Sequence, residues 1–238
     1  MVGNGASSLG RDGPARARAR DLSIDIEEEA DGTRLRARIP GASVDIVAGR
    51  LPAHESLAVV VPWSDSRFQY TVKDVARPAS GTITVGGVVH EVPAGESWAV
   101  LDHGRGRWPY DVSWNWGAGS GVWDGRVIGV QLGGRWTDGS GSTENAIFID
   151  GRLHKVSEEL RWDYDTSHFL RPWRVRGDRL DLTFVPFYDK VTRTNLGIVS
   201  SRTDQCFGWW SGEFTTTDSE TVRFEGILGW AEDVRNRW

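Results

Sequence analysis

Short runs in which apolar and polar residues alternate with a period of two dominate this chain, and each run ends in a turn signal. Leu22, Ile24 and Ile26 alternate with polar neighbours, as do Leu35, Ala37 and Ile39, and then Val44, Ile46 and Ala48. Asp31-Gly32, Pro40-Gly41 and Gly49 close these runs. A strand sends successive side chains to opposite faces, so this pattern predicts antiparallel strands with one buried face. Leu57–Val61 is a continuous apolar run that stops at Pro62 and reads as a buried strand. Phe68–Val75, Thr82–Val92 with a hairpin turn at Gly86-Gly87, and Trp98–Leu101 complete the first half. The second half predicts strands over Asp111–Trp116, Arg126–Leu132, Ala146–Ile149, Leu153–Tyr164, Trp173–Val175, Arg179–Phe184, Asn195–Arg202, Cys206–Thr216 and Thr221–Trp230. No stretch holds a 3.6-residue period for three turns, although Glu158–Trp162 has room for one helical turn. About fifteen short strands at even spacing mean an all-β barrel or sandwich, and no fixed repeat points to a propeller.

The segment 1–20 lacks this pattern. Gly, Ala, Ser and Arg dominate it, so it is expected to be a disordered leader. It has no apolar stretch of the kind a secretory signal needs, which leads to the expectation of a cytoplasmic protein. The remaining chain divides provisionally at residue 110, with an N-terminal β-barrel half over 21–110 and a C-terminal barrel over 111–238.

Charge and cysteine content exclude several functions. Lys and Arg number 28 against 33 Asp and Glu, a net charge of −5, which leaves no overall basic footprint for nucleic acid or an anionic membrane. One Cys forms no intrachain disulfide and no cysteine cluster. Cys206 lies in an apolar strand context and reads as a buried, inert thiol. The His residues at 54, 90, 103, 154 and 168 lack metal-ligand spacing, so no metal and no cofactor are expected. His154 follows a hairpin turn and is expected at the surface. Lysine appears only at Lys73, Lys155 and Lys190, so the other 25 basic residues are Arg. The arginines are scattered along the chain, not gathered into an anion site.

Unusual residues concentrate between Trp98 and Asn145. Trp98, Trp108, Trp114, Trp116, Trp123 and Trp136 fall there among many glycines. Trp114 and Trp116, two apart on a strand, share a face, where they either fill a barrel end or line a ligand site. Asp102 and His103 follow the apolar run Ala99–Leu101. An Asp beside indole walls loses solvation and is suited to donate a proton, while indole faces stabilise developing positive charge. The alternative is that Asp102 pairs with Arg105 or Arg107 and ties a loop. Candidate catalytic residues are therefore Asp102, His103 and Glu144. Candidate ligand-binding residues are Trp108, Tyr110, Trp114, Asn115, Trp116, Trp136 and Asn145. Asp138 and Glu144 flank a Gly/Ser/Thr turn and form a candidate carboxylate pair for glycoside chemistry. Gly117–Gly121 has the glycines of a phosphate loop without its Lys, and no G-x-S-x-G elbow is present.

Ser64–Pro78, Ala99–Gly117, Leu132–Lys155 and Gly229–Trp238 carry a further signal. In this order they resemble the bacterial domain-of-unknown-function 2804 family over about residues 22–238. That family is distantly similar to lipocalin-like double β-barrels that include carotenoid hydratases. The resemblance implies two lipocalin-like antiparallel β-barrels or barrel-like sandwiches in tandem. It also implies that early strands of the first are missing here. A Trp/Asp/His/Gly-rich motif joins the barrels in that group, and Asp102-His103-Gly104-Arg105-Gly106 is its counterpart, with Asp102 as the implied acid.

Three functions follow. The first is lipocalin-like binding of a hydrophobic small molecule, an isoprenoid or acyl chain, in a Trp-lined barrel. The second is a cofactor-independent hydratase, lyase or isomerase acting on such a molecule through Asp102. The third is carbohydrate binding or hydrolysis. A binder needs apolar walls and no buried unpaired acid, the enzyme needs Asp102 or Glu144 inside the cavity, and a sugar site needs an open groove. No nucleic-acid or protein partner and no integral membrane association are expected.

Overall fold

The computed structural model describes residues 14–237, and its regular elements are all β-strands. Among the described residues no helix is long and apolar enough to cross a membrane. The chain forms two sheets and two compact units whose segments interleave. One unit runs to Pro52 and resumes over Arg77–Ala99; the other comprises Ala53–Ala76 and Val100–Trp238.

In the first unit, β1 (Ala15–Ala19), β2 (Leu22–Glu29), β3 (Gly32–Ile39) and β4 (Ala42–Ala48) form an antiparallel meander. The far part of β6 (Arg67–Val85) extends it, followed by β7 (Val88–Val92) across the Gly86-Gly87 turn. Both turn glycines have positive φ, +57° and +82°, as a two-residue hairpin of this hand requires. β1 corrects the expectation of disorder for part of the 1–20 segment; residues 1–13 lie outside the described residues. Ala-Arg-Ala-Arg-Ala is itself a period-two pattern, with Arg16 reaching Glu27 at 2.5 Å and Arg18 reaching Asp25 at 2.6 Å on β2. Cross-strand charge takes over the role of an apolar face here. Among the described residues of this unit, the one fully enclosed long side chain is polar: the Arg77 guanidinium donates to the Gly49 carbonyl (2.9 Å), to Thr33 Oγ1 (2.8 Å) and to the Ala48 carbonyl.

The second unit holds the main core. Its nine-stranded sheet runs β12-β11-β10-β9-β17-β16-β15-β14-β13. In chain order these are β9 (Asp111–Trp123), β10 (Arg126–Gly134), β11 (Asn145–Ile149), β12 (Arg152–Val156), β13 (Arg161–Asp163), β14 (Trp173–Arg176), β15 (Leu180–Asn195), β16 (Ser200–Thr215) and β17 (Thr221–Arg237). Val156 near one edge and Trp173 near the other belong to one buried cluster with Leu132, Ile147, Phe184 and Trp210, so the sheet curls into a half-barrel around that face. Leu153–Tyr164, expected as one strand, is two, interrupted between Val156 and Arg161. Asn195–Arg202, also expected as a strand, contains the turn between β15 and β16. Cys206 is fully buried, and burial pushes its thiol up to about 12. His154 is buried, not at the surface: it stands beside Phe214, and burial lowers its pKa.

The concave face also carries a dense ionic network. Asp233, 2% exposed, accepts from Tyr164 (2.5 Å), Arg135 (3.0 Å) and Arg202 (3.1 Å). Asp204 pairs with Arg193 at 2.6 Å and Arg202 at 2.7 Å. The Tyr164 hydroxyl further receives Arg135 (2.7 Å) and Asn115 (2.9 Å). Three guanidiniums thus neutralise two buried carboxylates.

Candidate functional site: a Trp-walled cavity with three carboxyls and one lysine

The site forms within the second unit, where the convex face of β9, β10 and β17 meets β5 (Leu57–Ser64), β6 up to Ala76 and β8 (Trp98–Arg107) from Val100 onward. A cavity of about 160 Å³ lies there. Gln69, Thr71, Lys73, Asp102, Trp108, Trp114, Trp116, Trp136, Glu144 and Glu232 line it. Alternation explains the set. Gln69, Thr71 and Lys73 are spaced by two on β6, and Trp114 and Trp116 by two on β9. Trp116 faces Glu232 across the β9–β17 ladder, and Gly133 faces Trp116 across the β9–β10 ladder.

Gly133 makes the site possible. A Cβ there would stand 2.3 Å from Glu144 Cγ and 2.5 Å from its Oε1, so only glycine admits that carboxyl. Gly106 plays the same part on β8, where a Cβ would collide with the Phe68 carbonyl at 2.2 Å. The glycines of the Asp102–Gly106 motif let β8 lie close against β6.

The indoles are fixed by their N–H groups, as buried tryptophans require. Trp136 donates to Glu144 Oε1 (2.5 Å), Trp114 to Glu232 Oε1 (2.8 Å), Trp108 to Gln69 (2.7 Å) and Trp116 to Gln131 (2.9 Å). Trp108 stacks on Trp136 with centroids 5.4 Å apart, and Trp63 packs behind both.

Lys73 is the cation of the site. Its Nζ stands 3.1 Å from Asp102, 3.5 Å from Glu144 Oε2 and 4.0 Å from the centre of the Trp116 ring. Burial works to lower its pKa, but the carboxyls of Glu144 and Asp102 outweigh that, so it is raised and the ammonium persists. Burial raises the pKa of Glu144, against the pull of Lys73 and the Trp136 N–H. Burial likewise raises that of Glu232, whose other oxygen receives Gln205 at 3.0 Å. Glu144 Oε2 has no hydrogen-bond partner. Three carboxyls share one ammonium here, and Glu144, 1% exposed, is the most deeply buried of them. Asp102, with its side chain 44% exposed, sits at the rim and also receives Thr71 at 3.2 Å.

Asp102, Glu144, Trp108, Trp114, Trp116 and Trp136 are thus brought together. Asp102 pairs with Lys73, and it lies within a strand. His103 is the next residue on β8, so its side chain takes the opposite face, 6.5 Å from the Tyr70 ring. Asn115 turns to the concave face, donating to Tyr164 and to the Glu232 carbonyl. Asn145 is structural: it accepts from Gly133 N–H (2.7 Å) and donates to the Glu158 carbonyl (3.1 Å). Tyr110 lies elsewhere, half exposed, with its hydroxyl donating to the Ile198 carbonyl. Asp138 is exposed and accepts from the N–H of Arg135 (2.9 Å), so it does not join Glu144 in the cavity. Lys73, Glu232, Gln69 and Thr71 are site residues that the sequence reading passed over. The signal for Lys73 was present: it is one of three lysines against 25 arginines.

No functionally curated protein matches the sequence. Among solved structures, a protein of Nitrosomonas europaea described as an AttH is similar with a TM-score of 0.52 at 13% identity, over 92% of this chain and 68% of that one. CghA, solved with Sch210972, also gives 0.52 at 13% identity, over 97% of this chain and 73% of that one. Kievitone hydratase from Nectria haematococca gives 0.41 at 8% identity, over 96% of this chain and 85% of that one. The two likenesses with TM-scores of 0.52 show the fold: an all-β, lipocalin-like double-barrel architecture. The sequence profile of DUF2804, a domain of unknown function, matches residues 3–238, and the chain belongs to that family.

Proposed function

We propose that the protein is a cofactor-independent acid–base enzyme, a hydratase, lyase or isomerase, acting on an unsaturated group of a hydrophobic molecule. The observation that carries this reading is the buried Glu144 carboxyl, whose Oε2 accepts no hydrogen bond and stands 3.5 Å from Lys73 Nζ inside a Trp-walled cavity. Pure binding of an apolar ligand gains nothing from a buried, raised-pKa acid and loses desolvation energy to it. A volume of about 160 Å³ also falls below that of pockets enclosing whole drug-sized ligands, so only a compact reacting portion would enter.

Glu144 is the proton donor in this reading. Its O–H protonates one alkene carbon, and the positive charge developing on the other faces the indoles of Trp114 and Trp116. Water adds to that carbon and releases its proton to Asp102, which Lys73 holds in place. Loss of a neighbouring C–H proton to Asp102 would instead give an isomer. Glu232, tied by Trp114 and Gln205, lends negative potential to the same cavity.

The test is solvent exchange. The protein is incubated in D₂O with a panel of terpenoid and enone compounds, and products are read by mass spectrometry. Deuterium should enter at carbon with wild type and not with Glu144→Gln, while the variant still takes up the compound. Uptake without exchange, or exchange untouched by Glu144→Gln, overturns the assignment.

A further inference from the structure

Exposed apolar surface gathers at one end of the β15–β16 hairpin. Leu196 and Ile198, 75% and 77% exposed, are the most exposed large hydrophobic residues among those described. The turn that carries them is held firmly. Leu196 N–H donates to the Val199 carbonyl (2.8 Å) and Gly197 N–H to Asn195 Oδ1 (3.0 Å), with Gly197 at φ +81°. Arg237 donates to the Gly197 carbonyl at 2.7 Å, and Tyr110 to that of Ile198. These clamps use backbone groups, so the turn itself has no need of aliphatic side chains. Polar residues would serve it equally and avoid the cost of exposing apolar surface.

The charge around the tip is one-sided. Lys190–Arg202 contains three cations and no acid, in a chain whose net charge is −5. Arg235 and Arg237 lie alongside on β17. The acids beneath, Asp204 and Asp233, are buried and already ion-paired, Asp189 is half-buried beside Asp204, and the exposed Asp111 is held by Arg235 at 3.2 Å. The whole-chain charge therefore hides a local positive rim around an apolar tip.

We propose that this hairpin docks the protein peripherally on an anionic lipid surface. Leu196 and Ile198 enter the boundary between headgroups and acyl chains, and the cations remain at the level of the phosphates. An apolar tip alone would suit another protein surface equally; the excess of Lys190, Arg193, Arg202, Arg235 and Arg237 over Asp111, Asp189, Asp204 and Asp233 around it selects the lipid. This inference does not depend on the chemistry of the cavity.

The experiment is vesicle flotation of the full chain, with phosphatidylcholine vesicles compared with equimolar phosphatidylcholine and phosphatidylglycerol. Wild type should float with the anionic vesicles, weakly with the neutral ones, and less as salt rises. The double substitution Leu196→Ser and Ile198→Ser should reduce that partition by more than about tenfold, with an unchanged circular dichroism spectrum and thermal midpoint. Lys190→Glu should reduce it by a smaller factor. Absence of anionic preference, or equal flotation of the double variant, overturns the proposal. So does self-association in sedimentation velocity that the double variant abolishes, which would make the tip a contact between copies of the chain.

Discussion

Two buried ionic clusters of the second unit invite comparison. On the concave face of the large sheet, Arg135, Arg193 and Arg202 meet Asp204 and Asp233, with Asp189 beside Asp204, and Tyr164 donates to Asp233. On the convex face, Lys73 stands alone against Asp102, Glu144 and Glu232, and a cavity remains. The first has a guanidinium for each carboxyl, which suits a structural tie. The second is cation-poor and open, which suits proton transfer. The difference lies in stoichiometry and free volume, since both clusters set cations against buried carboxyls.

The sharpest way to break the comparison is Asp233→Ala. It leaves guanidiniums without their carboxylate and should cost about 3–5 kcal/mol in urea unfolding at pH 7. Lys73→Met should cost less, about 1–3 kcal/mol at pH 7, because its neighbours can take up protons. That cost should shrink as pH falls toward 4.5, the ordinary glutamate value, and grow toward pH 8. A cost independent of pH would erase the distinction between the clusters. Tyr164→Phe removes a hydroxyl from the closed cluster only, and about 1 kcal/mol should be lost in the same assay.

Glu144→Gln is the smallest and most diagnostic change. A group whose folded pKa is raised favours the fold in its protonated form, and that contribution is lost as pH rises above the unfolded value toward the folded one. Gln keeps an acceptor for Trp136 and does not ionise. Its thermal midpoint should equal that of wild type near pH 4.5 and exceed it slightly at pH 8. A variant less stable than wild type at pH 8 would mean that Glu144 is held ionised by Lys73, and the proton donor would then have to be sought elsewhere.

The strands were legible because alternation and turn residues act locally. Gly86-Gly87, Asp124-Gly125 and Asp150-Gly151 mark observed turns, and the shared face of Trp114 and Trp116 follows from spacing alone. Asn115 shows the limit of the same logic: lying between them, it had to face the other way, and grouping residues by proximity in sequence hid this. Glu232 reaches the cavity only through the pairing of β17 with β9, and Lys73 only through the approach of β6. Neither pairing leaves a local trace. Tyr110 was misplaced for the same reason, since its partner Ile198 lies on a distant hairpin. The interleaving of Ala53–Ala76 with the later chain is likewise something a single cut in the sequence has no means to express.

The ladder between β9 and β17 joins Asp111 to Arg237 and Gly119 to Gly229. During translation the half-barrel therefore lacks a central strand until residues 221–237 have been made. For all that time Trp114 and Trp116 are without the strand that will cover their flank, and β9 presents an open edge. Pauses in synthesis before residue 221 would prolong that state, and chaperone demand should be set by the interval between β10 and β17 more than by the stability of the finished protein.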